Sequence, residues 1–210
     1  MTRALLLSFS PHGKAAQTFK LARALLNEQV PDAHVTERDY GARALPPLTR
    51  EYANALTTPG GLSGSATALS EQLIVELEAC DLLVLCTPVH NFTVPAALKG
   101  WIDHVVRIER SFTVNAQFEK VGLLKDRRTF VLVSSGNARK GHEPDFLTPY
   151  MTAILSTVGI RTVGFVYLGA MVRGAEAVSA WNRHPAAGNN QLWPIKIMAL
   201  ESAPFLRLLS

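Results

Sequence analysis

Leu82 to Val106 reads LLVLCTPVHNFTVPAALKGWIDHVV. It opens as an unbroken apolar run, breaks at Thr87-Pro88, crosses the short segment Val89-His90-Asn91-Phe92, and regains order at Pro95 with helical spacing. The run has the length and β-branched content of a strand covered on both faces, as in a parallel sheet. Pro95 suits the first turn of a helix, where its missing N–H costs nothing. The stretch therefore predicts a strand, a loop and a helix. In an open parallel sheet the loop at such a strand's end is where ligands bind, so Pro88 to Phe92 is expected to face a planar ligand.

Outward from this stretch the same alternation repeats. On the N-terminal side, Ser65 to Ala79 carries helix formers with an apolar face of Leu69, Leu73, Ile74 and Leu77. Ala4 to Ser8 reads as a first strand, followed by the loop Ser10-Pro11-His12-Gly13-Lys14. A helix is expected from Thr18, which could cap it, with Phe19, Leu21, Ala22, Leu25 and Leu26 on one face. His34 to Arg38 is a second strand, and Ala42 to Gly64, rich in Pro and Gly, reads as a long irregular excursion.

On the C-terminal side, the helix from Pro95 ends at about Arg107, where its periodicity stops. Ser111 to Leu124 reads as irregular or hairpin-like, and Thr129 to Val133 as a strand ending in Ser134-Ser135-Gly136-Asn137. Thr148-Pro149 has the form of an N-cap followed by a first-turn proline, and Thr162 to Leu168 closes as a fifth strand. Five strands alternating with helices predict an α/β fold: a doubly wound, five-stranded parallel sheet in three layers. The flavodoxin-like order 2-1-3-4-5 places the ends of the first, third and fourth strands at one binding edge.

Composition fits that picture. With 210 residues, 48% hydrophobic and 18% charged, the chain suits one globular domain. No apolar run approaches the roughly 20 residues of a spanning helix, so neither a membrane segment nor a signal peptide is expected. The balance of 21 basic against 17 acidic residues gives +4, with the basic residues scattered singly, which argues against nucleic-acid binding. Cys80 and Cys86 match neither a zinc knuckle nor a redox pair, and a reducing, cytoplasmic setting is expected.

Three loops meet at the expected edge. The first lacks the glycines of a dinucleotide fingerprint, and a P-loop would need glycine at Ser8 and a hydroxyl at Ala15, so Gly13-Lys14 is a decoy. It leaves Ser10, Gln17 and Thr18 leading onto a helix N-terminus, whose free N–H groups suit a phosphate monoester. An ordinary capped helix accounts for the same residues. In the third loop, Val89 and Phe92 can wall a flat, partly apolar ligand while the turn leaves backbone donors free. Surface and turn roles for His90 and Asn91 explain them equally. The fourth loop offers closely spaced donors, with Gly136 permitting close approach. Arg139, Lys140 and His142 behind it could meet an anionic substrate or form a solvated loop. Asp145 is read as a helix cap rather than a metal ligand. No Ser-His-Asp constellation, paired-carboxylate site or metal cluster stands out.

Pro88-Val89-His90-Asn91-Phe92, followed by Pro95-Ala96-Ala97-Leu98-Lys99-Gly100-Trp101-Ile102-Asp103, resembles the P-M-Y-N-F…P-x-x-L-K-x-[YW]-[IF]-D signature of FMN-dependent NADH azoreductases. Phe112 after Ser111, Gly122-Leu123, Ser134-x-Gly136, the Asp145 to Tyr150 segment and Gly159-Ile160 extend the resemblance over roughly Arg3 to Leu168. That family comprises homodimeric flavodoxin-like enzymes that also reduce quinones. The resemblance implies that Ser10, Gln17 and Thr18, with the backbone of Ala16, hold the FMN phosphate. It implies that Val89, His90, Asn91 and Phe92 line the isoalloxazine, with the Asn91 amide near N5, and that Ser134, Ser135, Gly136 and Asn137 meet the pyrimidine end.

The expected chemistry is transfer of two electrons from NADH or NADPH through FMN to a quinone or azo acceptor by a ping-pong route, with His90 the candidate proton donor. This chain departs from the pattern at Ala16, where a phosphate-binding serine is usual, at His90, where Tyr is common, and at Ser135-Gly136-Asn137, which replaces R-G-G. The domain is expected to span 1–174. The segment 175–210, interrupted by Pro185, Pro194 and Pro204, departs from the family's long C-terminal helix. The rival from another class is a flavin-binding electron carrier or redox-sensing protein without nicotinamide turnover, which would want an acidic docking surface. A flavodoxin-fold protein that has lost FMN is the third reading.

Overall fold

Side-chain alternation along the central strand decides the layering. The computed structural model describes residues 1–58, 64–135 and 144–169, and in it the run at Leu82 forms strand β3, Leu82–Pro88. Before it come β1 (Arg3–Ser8), α1 (Gln17–Gln29), β2 (His34–Asp39), α2 (Arg50–Thr57) and α3 (Ala68–Ala79). After it come α4 (Ala96–Val105), the hairpin strands β4 (Phe112–Val114) and β5 (Lys120–Gly122), β6 (Arg128–Ser135), α5 (Leu147–Thr157) and β7 (Val163–Gly169).

The five long strands are all parallel, in the order β2-β1-β3-β6-β7. This is the expected 2-1-3-4-5 order, with the small antiparallel β4–β5 hairpin standing outside the sheet. Leu83 and Leu85 of β3 join Val131 and Val133 of β6 in a core closed by α3, α4 and α5. Leu82, Val84 and Cys86 face the other way, with Phe130 and Leu132, onto Phe19, Leu21, Leu25 and Leu26 of α1. Burial on both faces is why these strands read as continuous apolar runs. Among the described residues no helix is long and apolar enough to cross a membrane.

Three sequence expectations change. The excursion at 42–64 holds a helix, α2, whose N-cap Thr49 accepts a hydrogen bond from the Tyr52 N–H at 3.1 Å. The cap of helix α1 lies two residues early, at Ala16 instead of Thr18, so Thr18 falls inside the first turn. Helix α5 starts at Leu147, ahead of Thr148-Pro149. Its first turn is served by Asp145, which accepts from the Thr148 N–H at 2.9 Å. Pro95 stands at the N-cap of α4, immediately before Ala96. The expectations for 175–210 lie outside the described residues.

At the opposite edge of the sheet, Asp126 ties β6 to β7. Its carboxylate accepts from the Arg127, Arg161 and Thr162 N–H groups at 2.9, 2.8 and 3.1 Å, and from the Thr162 hydroxyl at 2.7 Å. Burial pushes this carboxyl upward, but the bonds from Arg161 and Thr162 outweigh it and hold the group below the usual range. A depressed pKa means the stabilisation is present above the ordinary aspartate value of about 4 and is lost as pH falls through the lower folded value. The carboxylate is exposed, so solvent limits the expected cost of Asp126→Asn to about 1 kcal/mol, a fall of roughly 2–4 °C at neutral pH. Thermal melts of both proteins across pH should converge only once the pH has fallen through the lowered folded value of Asp126, where both side chains are neutral. A gap that persists at low pH would show that the charge is not what matters.

Candidate active site

Strand register brings the three expected loops to one edge. Ser8 pairs with Cys86 and Pro88 with Ser134. Beyond those pairs the Phe9 N–H donates to the Cys86 carbonyl at 2.8 Å, and the Val89 N–H to the Ser134 carbonyl at 2.9 Å. Ser10, Val89 and Ser134 are thus neighbours across adjacent strands although far apart in sequence.

The first loop is a tight structure. Gly13 N–H donates to the Ser10 carbonyl at 2.8 Å, and Ser10 Oγ accepts from the His12 N–H at 3.2 Å, which leaves the Ser10 O–H free to donate elsewhere. A single 3-10 turn, Gly13–Ala15, follows, and the Ala16 N–H closes onto the Gly13 carbonyl at 3.1 Å. Ala16 therefore brings no free donor, and its methyl group cannot cap α1. The first N–H groups of an α-helix, here from Gln17 onward, have no partner within the helix. Thr49 and Asp145 serve that end in α2 and α5; among the described residues no side chain caps α1, nor α3 or α4.

Thr18 is completely buried, and among the described residues its Oγ1 has no hydrogen-bond partner. Its carbonyl accepts from the Cys86 thiol at 3.5 Å, which fastens the first turn of α1 to β3. Burial pushes the Cys86 thiol far up, with the contact to Thr18 opposing, so Cys86 acts as a packed donor rather than a nucleophile. An uncapped helix start with an orphaned hydroxyl in its first turn fits an anionic oxygen, as in a phosphate monoester.

The third loop is a strained two-residue turn. His90 and Thr93 exchange both backbone hydrogen bonds, at 2.9 and 3.0 Å, and the two residues between them are left-handed, Asn91 at φ 47° and Phe92 at φ 67°. Asn tolerates this region, but for Phe it costs about 1–2 kcal/mol. The geometry leaves the Asn91 and Phe92 N–H groups outside both bonds. Phe92 remains 47% exposed, and Val89 packs against the core beside α4. Together they make an apolar wall with backbone donors at its lip, which suits a flat heteroaromatic ring. His90 is exposed on the same turn.

At the fourth loop, Ser134 and Ser135 are half-buried at the end of β6, while Gly136 and Asn137 lie outside the described residues, as do Arg139, Lys140 and His142. Beyond it, Tyr167 on β7 donates to Asp145 Oδ1 at 3.1 Å and lies 2.8 Å from Thr148 Oγ1. Burial, with Asp145 alongside, pushes the Tyr167 hydroxyl up to about 12, so it stays a donor at neutral pH. The sequence marked Asp145 as a cap but not its tie to Tyr167. It also did not mark Asp39, whose carboxylate accepts from the Lys14 N–H at 3.2 Å and the Ala42 N–H at 3.0 Å.

A family model described as flavodoxin-like fold matches residues 2–187. The chain is 48% identical over 186 residues to "FMN-dependent NADH:quinone oxidoreductase 4" of Pseudomonas fluorescens, covering 86% of this chain and 90% of that relative. It is 44% identical over 186 residues to "FMN-dependent NADH:quinone oxidoreductase 5" of Burkholderia lata, covering 86% and 91%. Among solved structures, an FMN-dependent NADH-azoreductase from Bacillus anthracis in complex with FMN superposes with a TM-score of 0.71 at 18% identity, over 89% of this chain and 97% of that one. At that identity the likeness speaks for the fold.

Proposed function

The chain belongs to the flavodoxin-like-fold family of FMN-dependent NADH:quinone oxidoreductases, and from that premise we propose that it is an oxidoreductase holding FMN across the three loops. The observation that carries the reading is one sheet edge with an uncapped α1, an orphaned Thr18 hydroxyl and a left-handed Asn91-Phe92 turn. Ser10, Gln17, Thr18 and the first-turn N–H groups of α1 would hold the phosphate, with Ala16 reduced to its place in the backbone. Val89 and Phe92 would wall the ring, the Asn91 and Phe92 amides would serve its heteroatoms, and Ser134 to Asn137 would meet its pyrimidine end.

FMN held there would supply two-electron chemistry between NADH or NADPH and a quinone or azo acceptor, in two separate half-reactions. The protein's part is orientation and hydrogen bonding, with His90 as the candidate for delivering a proton to the acceptor. Buried, unpaired Cys80 and Cys86 accord with a reducing, cytoplasmic setting. A homodimer belongs to the same reading. The β4–β5 hairpin presents Val114, Val121 and Phe118, the last 91% exposed, as an apolar arm that no described residue covers.

Anaerobic addition of NADH to FMN-loaded protein should bleach it, and a quinone should then restore the yellow colour. Parallel double-reciprocal plots should report the two separate half-reactions. Protein that gains no flavin spectrum on FMN addition would sink the reading, whereas yellow protein that never bleaches with either nicotinamide would point to an electron carrier. In His90→Ala, an unchanged pH–rate profile would remove His90 as proton donor. A monomer by light scattering would remove the dimer.

A further inference from the structure

The end of β2 is fitted against the first loop with almost no side chain between them. Tyr40 and Gly41 N–H both donate to the Ser8 carbonyl, at 2.8 and 3.2 Å. A Cβ on Gly41 would stand 1.7 Å from the Ser10 carbonyl oxygen, so only glycine fits. Asp39 reaches the same loop through its carboxylate, which bridges the Lys14 and Ala42 N–H groups. Gly13 has φ +53°, and a Cβ there would lie 2.3 Å from Asp39 Oδ2. The carboxylate thus occupies the space beside the turn that carries the chain from Ser10 to the uncapped start of α1.

Two nearby cations are already paired. Lys14 Nζ pairs with Glu37 on β2, and Arg23 Nε lies 3.3 Å from the other oxygen of the same carboxylate. On charge alone, Asp39 would repel a phosphate bound at α1. Its hydrogen bonds give it the opposite role.

We propose that Asp39 is a positioning residue for phosphate recognition: by bridging Lys14 N–H and Ala42 N–H, it holds the first loop so that Ser10 and the first turn of α1 converge on the phosphate. This rests on the reading that the FMN phosphate is bound at α1. The two roles differ in sign. If Asp39 acted through charge, neutralising it would tighten FMN binding; as a clamp, its loss weakens FMN binding and leaves riboflavin binding unchanged, because riboflavin lacks the phosphate.

Fluorescence titrations of the full chain with FMN and with riboflavin decide it. Wild type should prefer FMN, and Asp39→Ala should lose about tenfold or more in FMN affinity, the effect of removing hydrogen bonds to a charged acceptor, with riboflavin affinity unchanged. Asp39→Asn, which keeps one acceptor oxygen, should fall between, and Lys14→Ala should keep the wild-type preference. If Asp39→Ala does not fold, Asp39→Asn carries the test together with Gly13→Ala, whose methyl group crowds the carboxylate from the loop side and should give the same FMN-selective loss. FMN affinity that is unchanged or raised in the Asp39 variants, or a loss shared equally by riboflavin, overturns the clamp while leaving the phosphate site standing. Wild-type protein that binds FMN and riboflavin equally overturns the phosphate-site reading itself.

Discussion

Thr18→Val is expected to stabilise the flavin-free protein by about 1–2 kcal/mol and to weaken FMN binding by roughly 10- to 100-fold. The two effects have one cause. Thr18 is fully buried with Oγ1 unpartnered among the described residues, and a buried hydroxyl without a hydrogen bond costs about 1–3 kcal/mol, which valine removes at nearly the same shape. A phosphate oxygen would satisfy that hydroxyl, and a hydrogen bond to a charged acceptor contributes about 1.5–3 kcal/mol. Thermal melts of the FMN-free protein and FMN titrations measure the two signs separately. Thr18→Ser should retain binding. A Thr18→Val protein that melts lower and binds FMN as tightly as wild type would take Thr18 out of the site.

Arg107→Ala is expected to cost about 2–4 kcal/mol, enough to lower the melting temperature by roughly 5–15 °C. Arg107 is 3% exposed. Its Nη1 donates to the Thr67 carbonyl at 3.2 Å and to Ser70 Oγ at 3.1 Å, its Nη2 pairs with Glu71, and its N–H donates to Ser111 Oγ at 2.8 Å. The guanidinium therefore ties the chain just past the end of α4 to the start of α3, while the Arg107 main-chain N–H, which the substitution keeps, holds the base of the hairpin. Among the described residues its Nε has no partner, so its desolvation is only partly offset. Glu71, 43% exposed and also paired with Arg110, can return to water, which keeps the loss below that of a fully buried pair. Arg107→Met, which keeps the aliphatic stem, should lose less. A change in melting temperature within about 1 °C for Arg107→Ala would show that packing alone holds this corner.

Strands β1, β3 and β6 were legible because burial on both faces writes them as apolar runs, and the order of strands and helices along the chain was enough to place the three loops together. Helix α2 was not: it has eight residues, and only Tyr52 and Ala55 are buried, so its periodicity is too short to stand out from the Pro and Gly around it. Thr49, three residues before Tyr52, was its one signal. The cap assignments failed at Thr18 and Thr148 because each hydroxyl lies just inside a helix whose start is set from outside. At α1 the Gly13–Ala15 turn sets it, and at α5 Asp145 does.

Within the site, the residues of the third loop were legible but their backbone was not. Nothing in the propensity of phenylalanine announces φ 67° at Phe92. Asp39 was hidden for another reason: it meets Lys14 across 25 residues through a backbone N–H, which leaves no mark in side-chain pattern.

Gly122 and Gly159 meet backbone to backbone. A Cβ on Gly122 would fall 2.1 Å from the Gly159 nitrogen, and one on Gly159 would fall 2.4 Å from the Leu124 carbonyl oxygen. The Leu124 N–H donates to the Val158 carbonyl at 3.0 Å in the same joint. The hairpin's aim is therefore set by main chain resting on the end of α5. Its outward residues, Phe118 among them, are free to diversify through evolution without redirecting the arm, whereas the two glycines at its root are not.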